Sequence, residues 1–299
     1  MSEMNQTGSG GLQGVYVALV TPMTRRGEID EQALREHVEF VLEGGVDGLV
    51  PVGTTGESPT LDHREHGRVI EIVVETARGR VPVMAGTGSN STQEAIALTR
   101  YAKEVGATMS LQVAPYYNKP TQEGLYRHFK AIAEESELPL VLYNIPGRCA
   151  VELDLGTMER LAKVPGIVAV KEATGHVNNV TPLVSGTQLT VLSGDDGLTL
   201  PMMVCGARGV ISVAANLAPS RMAGMVHAAL SGDWAVAMEE HARLYPLFKA
   251  MFLETNPIPV KAGLALMGRM EEVYRMPLCP MTEPHKQELE MVLRTQGVM

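Results

Sequence analysis

At 299 residues the chain can hold two average domains, or one α/β barrel of about 250 residues with a short remainder, and either core is large enough to fold without staples. Hydrophobic residues at 45% and charged residues at 20% exclude a fibrous repeat and long disorder, and 4% aromatics leave little for base stacking. A net charge of −9 disfavours a nonspecific hold on nucleic acid or anionic lipid, so an anionic ligand has to be met by local positive groups.

From the N-terminus, residues 1–11 are polar and glycine-rich, without the basic and apolar regions of a signal peptide, and predict a frayed tail. Eight short apolar runs follow at intervals of roughly 20 to 35 residues and predict strands. They are Val15 to Val20, Gly48 to Val52, Val81 to Ala85, Met109 to Val113, Leu140 to Tyr143, Ile167 to Val170, Leu189 to Leu192, and Gly209 to Val213. Between them, sets such as Leu34, Val38, Val41 and Leu42, or Val69, Ile70, Val73, Val74 and Ala77, build single apolar helix faces. Capping boxes at Asp62 to Glu65 and Ser91 to Glu94 mark helix starts, and Gly44, Gly79 and Gly106 mark ends. Strands apolar on both faces and alternating with helices pair in parallel. Eight such units predict an α/β fold of the (β/α)8 TIM barrel type over residues 12–230, since no GxGxxG follows the first strand to favour an open sheet.

After Pro219 the strand signal stops, and helices are predicted for Pro219 to Leu230, Asp233 to Glu254, Pro259 to Gly268 and Pro284 to Arg294. Residues 231–299 thus form a C-terminal helical appendage packed on the barrel without a linker. The stretch Leu198 to Pro219 is broken by Pro201, Gly206, Arg208 and Gly209, which argues against a membrane span. Cys149, Cys205 and Cys279 are odd in number and widely spaced, which suggests neither a disulfide framework nor a zinc knuckle and fits a reducing cytoplasm.

Barrel active sites lie at the C-terminal ends of the strands, which here carry many polar residues. Lys171 closes the sixth run, where burial would lower its pKa and yield the neutral amine that attacks a carbonyl. Its plain alternative is an ion pair with Glu172, Asp195 or Asp196. Tyr143 closes the neighbouring strand, within reach of a substrate on Lys171, and Thr54 and Tyr117 could relay its proton. Without such a role Tyr143 is an aromatic plug at the barrel mouth. The loop Gly53-Thr54-Thr55-Gly56 brings amides and hydroxyls to a carboxylate-sized anion but lacks a Walker lysine. Arg148 offers a fork for a second carboxylate, or is a solvated loop arginine. His63 and His66 have HxxH spacing but no third ligand nearby, so they predict two partly exposed histidines rather than a metal site. Glu94 is expected to close its capping box.

Gly53-Thr54-Thr55-Gly56-Glu57-Ser58, Pro115-Tyr116-Tyr117-Asn118-Lys119-Pro120, Tyr143-Asn144-Ile145-Pro146-Gly147-Arg148 and Val170-Lys171-Glu172-Ala173-Thr174-Gly175 are specific in combination. On them the chain resembles the dihydrodipicolinate synthase and N-acetylneuraminate lyase family of class I aldolases, from about Gly14 to the C-terminal helices. Thr55 and Arg148 are similar to the synthase branch. The resemblance implies a lysine imine without metal or organic cofactor. Lys171 would bind pyruvate and Tyr143 would shuttle protons, with Thr54 and a neighbouring subunit's Tyr117 as relays. Thr54 and Thr55 would hold the pyruvate carboxylate beside main-chain groups near Gly194 and Ile211, and Arg148 would hold L-aspartate-4-semialdehyde. It further implies a cytoplasmic homotetramer built as a dimer of dimers, and an L-lysine effector site at Ser58, Pro59, His63, His66, Asn90, Glu94 and Tyr116. Pro59 and the pair Cys149-Ala150 depart from the family pattern. Another pyruvate aldolase, of the 4-hydroxy-2-oxoglutarate or sugar-acid type, or a non-catalytic keto-acid-binding protein would share much of this pattern.

Overall fold

The structure, a computed structural model, describes residues 11–299, so all of the expected tail except Gly11 lies outside the described residues. Eight strands follow the eight apolar runs: β1 (Gly14–Ala18), β2 (Gly48–Val50), β3 (Met84–Gly86), β4 (Met109–Val113), β5 (Leu140–Asn144), β6 (Ile167–Glu172), β7 (Thr190–Ser193) and β8 (Gly209–Ser212). Each named pairing is parallel, in the order β2-β1-β8-β7-β6-β5-β4-β3. A parallel bridge from Leu49 to Val83 joins the two ends and closes the barrel.

Side chains alternate across each strand, which divides the apolar residues into two cores. Tyr16, Ala18, Val50, Met84, Leu111, Val141, Ala169, Leu192 and Ile211 fill the barrel, and Val15, Val17, Leu49, Leu140, Leu142 and Val170 face the helices. The same alternation turns Tyr143, two residues after Val141, and Lys171, two after Ala169, into the barrel mouth.

The outer layer is α1 (Glu31–Glu43), α2 (His63–Ala77), α3 (Thr92–Glu104), α4 (Gln122–Ser136), the single turn α5 (Pro146–Cys149), α6 (Leu155–Leu161), α7 (Val180–Gly186), α8 (Thr199–Val204) and α9 (Pro219–Leu230). Asp62 and Glu65 form the reciprocal capping box expected at α2. Ser91 caps α3 through Glu94 N, but the Glu94 carboxylate does not return to Ser91, because His63 and Ser89 engage it instead.

The C-terminal helices are α10 (Trp234–Ala250), α11 (Ile258–Leu266) and α12 (Glu283–Thr295). They pack directly on the barrel: Arg221 of α9 donates to Glu240 at 2.6 Å and to the Gln296 carbonyl at 3.0 Å. α10 ends earlier than the apolar pattern suggests, and the turn that follows runs back toward the barrel mouth. Among the described residues no helix is long and apolar enough to cross a membrane.

Candidate active site

The Lys171 side chain stands at the inner end of β6, in register with Tyr143 of β5. Its Nζ lies 4.1 Å from the Tyr143 ring centroid. Burial pulls the Lys171 pKa down to about 7, opposed by the charge of Asp196 and reinforced by that of Arg148. The carboxylates that could have paired with it make their hydrogen bonds elsewhere, although Asp196 Oδ1 is left without a partner. Glu172 accepts from Asn144 Nδ2 at 3.2 Å and Thr174 N at 2.8 Å. Asp195 accepts from Gly197 N at 2.8 Å, and Asp196 from Val213 N at 3.1 Å and Ala214 N at 2.9 Å. Among the described residues Lys171 forms no salt bridge, which leaves a desolvated amine on an aromatic face.

Burial also pushes the Tyr143 phenol up to about 12, with Arg148 and the Thr54 hydroxyl working against the rise. At neutral pH it is a protonated donor. Around the two side chains a cleft of about 50 Å³ is bordered by Thr54, Thr55, Arg148, Gly194, Val213 and Asn256. A Cβ on Gly194 would sit 2.6 Å from Ala173 Cβ and 3.1 Å from Lys171 Cε, so only glycine lets the end of β7 come this close to the amine. Ile211 belongs to the layer beneath, inside the barrel, and Val213 is the residue of that strand end which borders the cleft.

In the threonine loop the amides of Gly56, Glu57 and Ser58 bond back to Gly53 O and Thr54 O. Those of Thr54 and Thr55 have no acceptor among the described residues. Arg148 sits exposed at the rim, yet it is anchored: Nη2 donates to the Asn256 carbonyl at 3.0 Å. The Asn256 amide in turn donates to Thr55 Oγ1 at 3.0 Å. Asn256 and Phe252, both at this site, escape the sequence reading. The one available signal was Asn256-Pro257-Ile258-Pro259, a proline-punctuated polar break between two helices.

Tyr117 does not join this cleft within the subunit. It is 91% exposed, on backbone held at φ 68°, and faces away from the chain.

A second cavity, of about 420 Å³, is bordered by Ser58, Pro59, His63, His66, Glu94 and Tyr116, and shares Thr54 and Arg148 with the first. Asn90 stands at its edge, where its amide donates to Tyr116 O at 3.3 Å. Contrary to the expectation of two partly exposed histidines, only His63 is exposed. His66 is buried, and burial depresses its pKa to about 4. Its Nε2 donates to the Gly86 carbonyl at 2.9 Å, which leaves Nδ1 an unpartnered acceptor. The Ser89 hydroxyl, with His63 at 2.8 Å, holds the Glu94 carboxyl below its usual range and therefore ionised. Among the described residues no three of His, Cys, Asp and Glu converge as a metal site would require.

Residues 11–296 match the Dihydrodipicolinate synthetase family. The 4-hydroxy-tetrahydrodipicolinate synthase of Methanocaldococcus jannaschii is 52% identical over 288 residues, 96% of this chain and 99% of that one. Among solved structures, the chloride-inhibited dihydrodipicolinate synthase from Acinetobacter baumannii complexed with pyruvate superposes with a TM-score of 0.94 at 46% identity, covering 96% of this chain and 99% of that one. The DHDPS from Cyanidioschyzon merolae with lysine bound gives 0.93 at 38% identity, over 96% and 99%. A monomeric dihydrodipicolinate synthase variant gives 0.94 at 42%, over 96% and 97%. With the closed barrel, the strand-end lysine and matches over nearly its whole length, the chain belongs to the dihydrodipicolinate synthetase family.

Proposed function

We propose that this chain is a lyase that condenses pyruvate with L-aspartate-4-semialdehyde to 4-hydroxy-tetrahydrodipicolinate, in lysine and diaminopimelate biosynthesis, with Lys171 as covalent catalyst. The observation that carries this reading is a buried, unpaired lysine with a pKa near 7 beside a buried tyrosine. Near neutral pH much of the amine is free to attack the pyruvate ketone, with loss of water to give the imine. The imine nitrogen withdraws electrons from C2, so the methyl carbon can lose a proton and become an enamine. That carbon forms a bond to the aldehyde carbon, whose oxygen takes up a proton. The substrate's own amine then attacks C2, closes the ring and displaces Lys171. Tyr143 donates and recovers the moving protons, with Thr54 as its neighbour. The free amides of Thr54 and Thr55 receive the pyruvate carboxylate, and Arg148 at the rim meets that of the second substrate.

Borohydride reduction tests the first step. With pyruvate present, Lys171 is expected to gain the mass of the reduced adduct, and an unmodified Lys171 would sink the imine reading altogether.

Tyr117, exposed and outside the cleft, is proposed to serve a second copy of the chain. In this reading it completes the partner's relay in a homotetramer assembled as a dimer of dimers. The 420 Å³ cavity is proposed to bind L-lysine as an effector: Glu94 is anionic, and His66 Nδ1 and the Tyr116 hydroxyl add polar contacts for an amino acid. Glu94→Gln is expected to weaken L-lysine binding about tenfold, the scale of one charge-assisted contact. Calorimetry checks this, and wild-type protein that binds no L-lysine at millimolar concentration would remove the effector site.

A further inference from the structure

Two non-glycine residues with left-handed backbone bracket the threonine loop: Val52 at φ 51° and Glu57 at φ 56°. For a β-branched residue such as Val52 this conformation is strained, and such strain persists only where the surroundings over-determine it. On one side the constraint is close packing, since a Cβ on Gly86 would stand 2.6 Å from Val52 O. On the other side it is charge. The Glu57 carboxylate, fully buried, binds the equally buried Lys261 ammonium of α11 through Oε1. Its Oε2 accepts from Arg275 N at 3.2 Å. The Arg275 guanidinium continues to Glu65 and to the carbonyls of Gly27 and Thr60. Tyr274, whose ring centroid is 5.4 Å from Lys261 Nζ, donates to Ile258 O at 3.0 Å.

Neither Glu57 nor Lys261 borders the cleft, but each is joined by a short stretch of chain to a group that does. Glu57 ends the loop that presents Thr54 and Thr55. Lys261 follows Asn256 on the same segment, and Asn256 bonds both Thr55 and Arg148. We propose that Glu57 and Lys261 are positioning residues for the reaction: their buried ion pair holds the threonine loop and the Asn256 turn in one register, so that the groups meeting the substrate carboxylates are set before pyruvate arrives. An apolar pair would fill the same space without fixing that register, because apolar contact is not directional and a buried ion pair is. The proposal rests on the reading of Lys171 as the pyruvate-binding amine.

The test is Glu57→Gln/Lys261→Met, which removes both charges at similar volume and leaves neither buried alone. The readout is the pyruvate concentration that gives half-maximal borohydride trapping on Lys171. The double variant is expected to raise it about tenfold while the final labelled fraction matches wild type, and to raise KM for pyruvate far more than it lowers kcat. Equal final labelling separates this shift from loss of folded protein. Half-saturation within about twofold of wild type, with equal final labelling, overturns the proposal and leaves the pair a packing feature. Should the double variant not fold, Lys261→Arg decides: it keeps the charge but puts a planar fork where an ammonium fits, and half-saturation should again rise. An unmoved value in that variant overturns the proposal equally. Wild-type protein that traps no pyruvate is a different outcome, since it removes the imine reading itself.

Discussion

Lys171→Met is expected to lower condensation by at least about 10⁴-fold, because it removes the proposed covalent nucleophile and, among the described residues, no other amine borders the cleft. The substitution should also stabilise the protein. In the folded chain the Lys171 pKa is about 7, against 10.5 when exposed. Below pH 7 the ammonium is buried charged, at a cost of up to about 5 kcal/mol; between pH 7 and 10.5 folding releases a proton and the cost falls away as pH rises. Wild-type stability therefore gains with pH across that window, and the Met variant should lose that gain and melt higher at pH 7. The same protonation sets the chemistry: imine formation should rise with pH through about 7 and then level off as the amine becomes fully deprotonated. Thermal melts and stopped-flow trapping between pH 6 and 9 read both effects. A Lys171→Met protein with full turnover would refute the assignment.

Tyr143→Phe is expected to reduce kcat about 10²- to 10³-fold while pyruvate trapping on Lys171 reaches the same final extent. The two readouts part because in the proposed mechanism the phenol does not make the bond to pyruvate but supplies protons to groups already bound. With its pKa pushed up to about 12, Tyr143 stays protonated across the working range, so the loss should be nearly independent of pH below about 9. Phenylalanine keeps the ring under Lys171 Nζ and removes only the hydroxyl. Unchanged kcat would show Tyr143 to be an aromatic plug at the barrel mouth.

The barrel was legible because each strand is a short run apolar on both faces, and Lys171 and Tyr143 were legible because each interrupts such a run where it ends. What escaped depends on contacts between distant parts of the chain. Asn256 meets Thr55 across 201 residues, and no local pattern marks a turn that folds back over the mouth. Glu94 has the spacing of a capping box, but the competing partners His63 and Ser89 arrive from other turns and take its carboxylate. His66 looks exposed in a polar first helical turn until the Gly86 carbonyl and the neighbouring helix enclose it. Local periodicity fixes which way a side chain faces; it does not fix what the rest of the chain brings to meet it.

Thr54 and Arg148 border the pyruvate cleft on one side and the 420 Å³ cavity on the other. If occupancy of one site shifts this shared wall, the two occupancies are linked, and linkage runs equally in both directions. If L-lysine in the larger cavity changes pyruvate affinity by some factor, pyruvate must change L-lysine affinity by the same factor. A cell rich in pyruvate would then need a correspondingly different L-lysine level to reach half-inhibition. The set point of the proposed feedback would then belong to the pair of metabolites, with Thr54 and Arg148 as the boundary common to both sites.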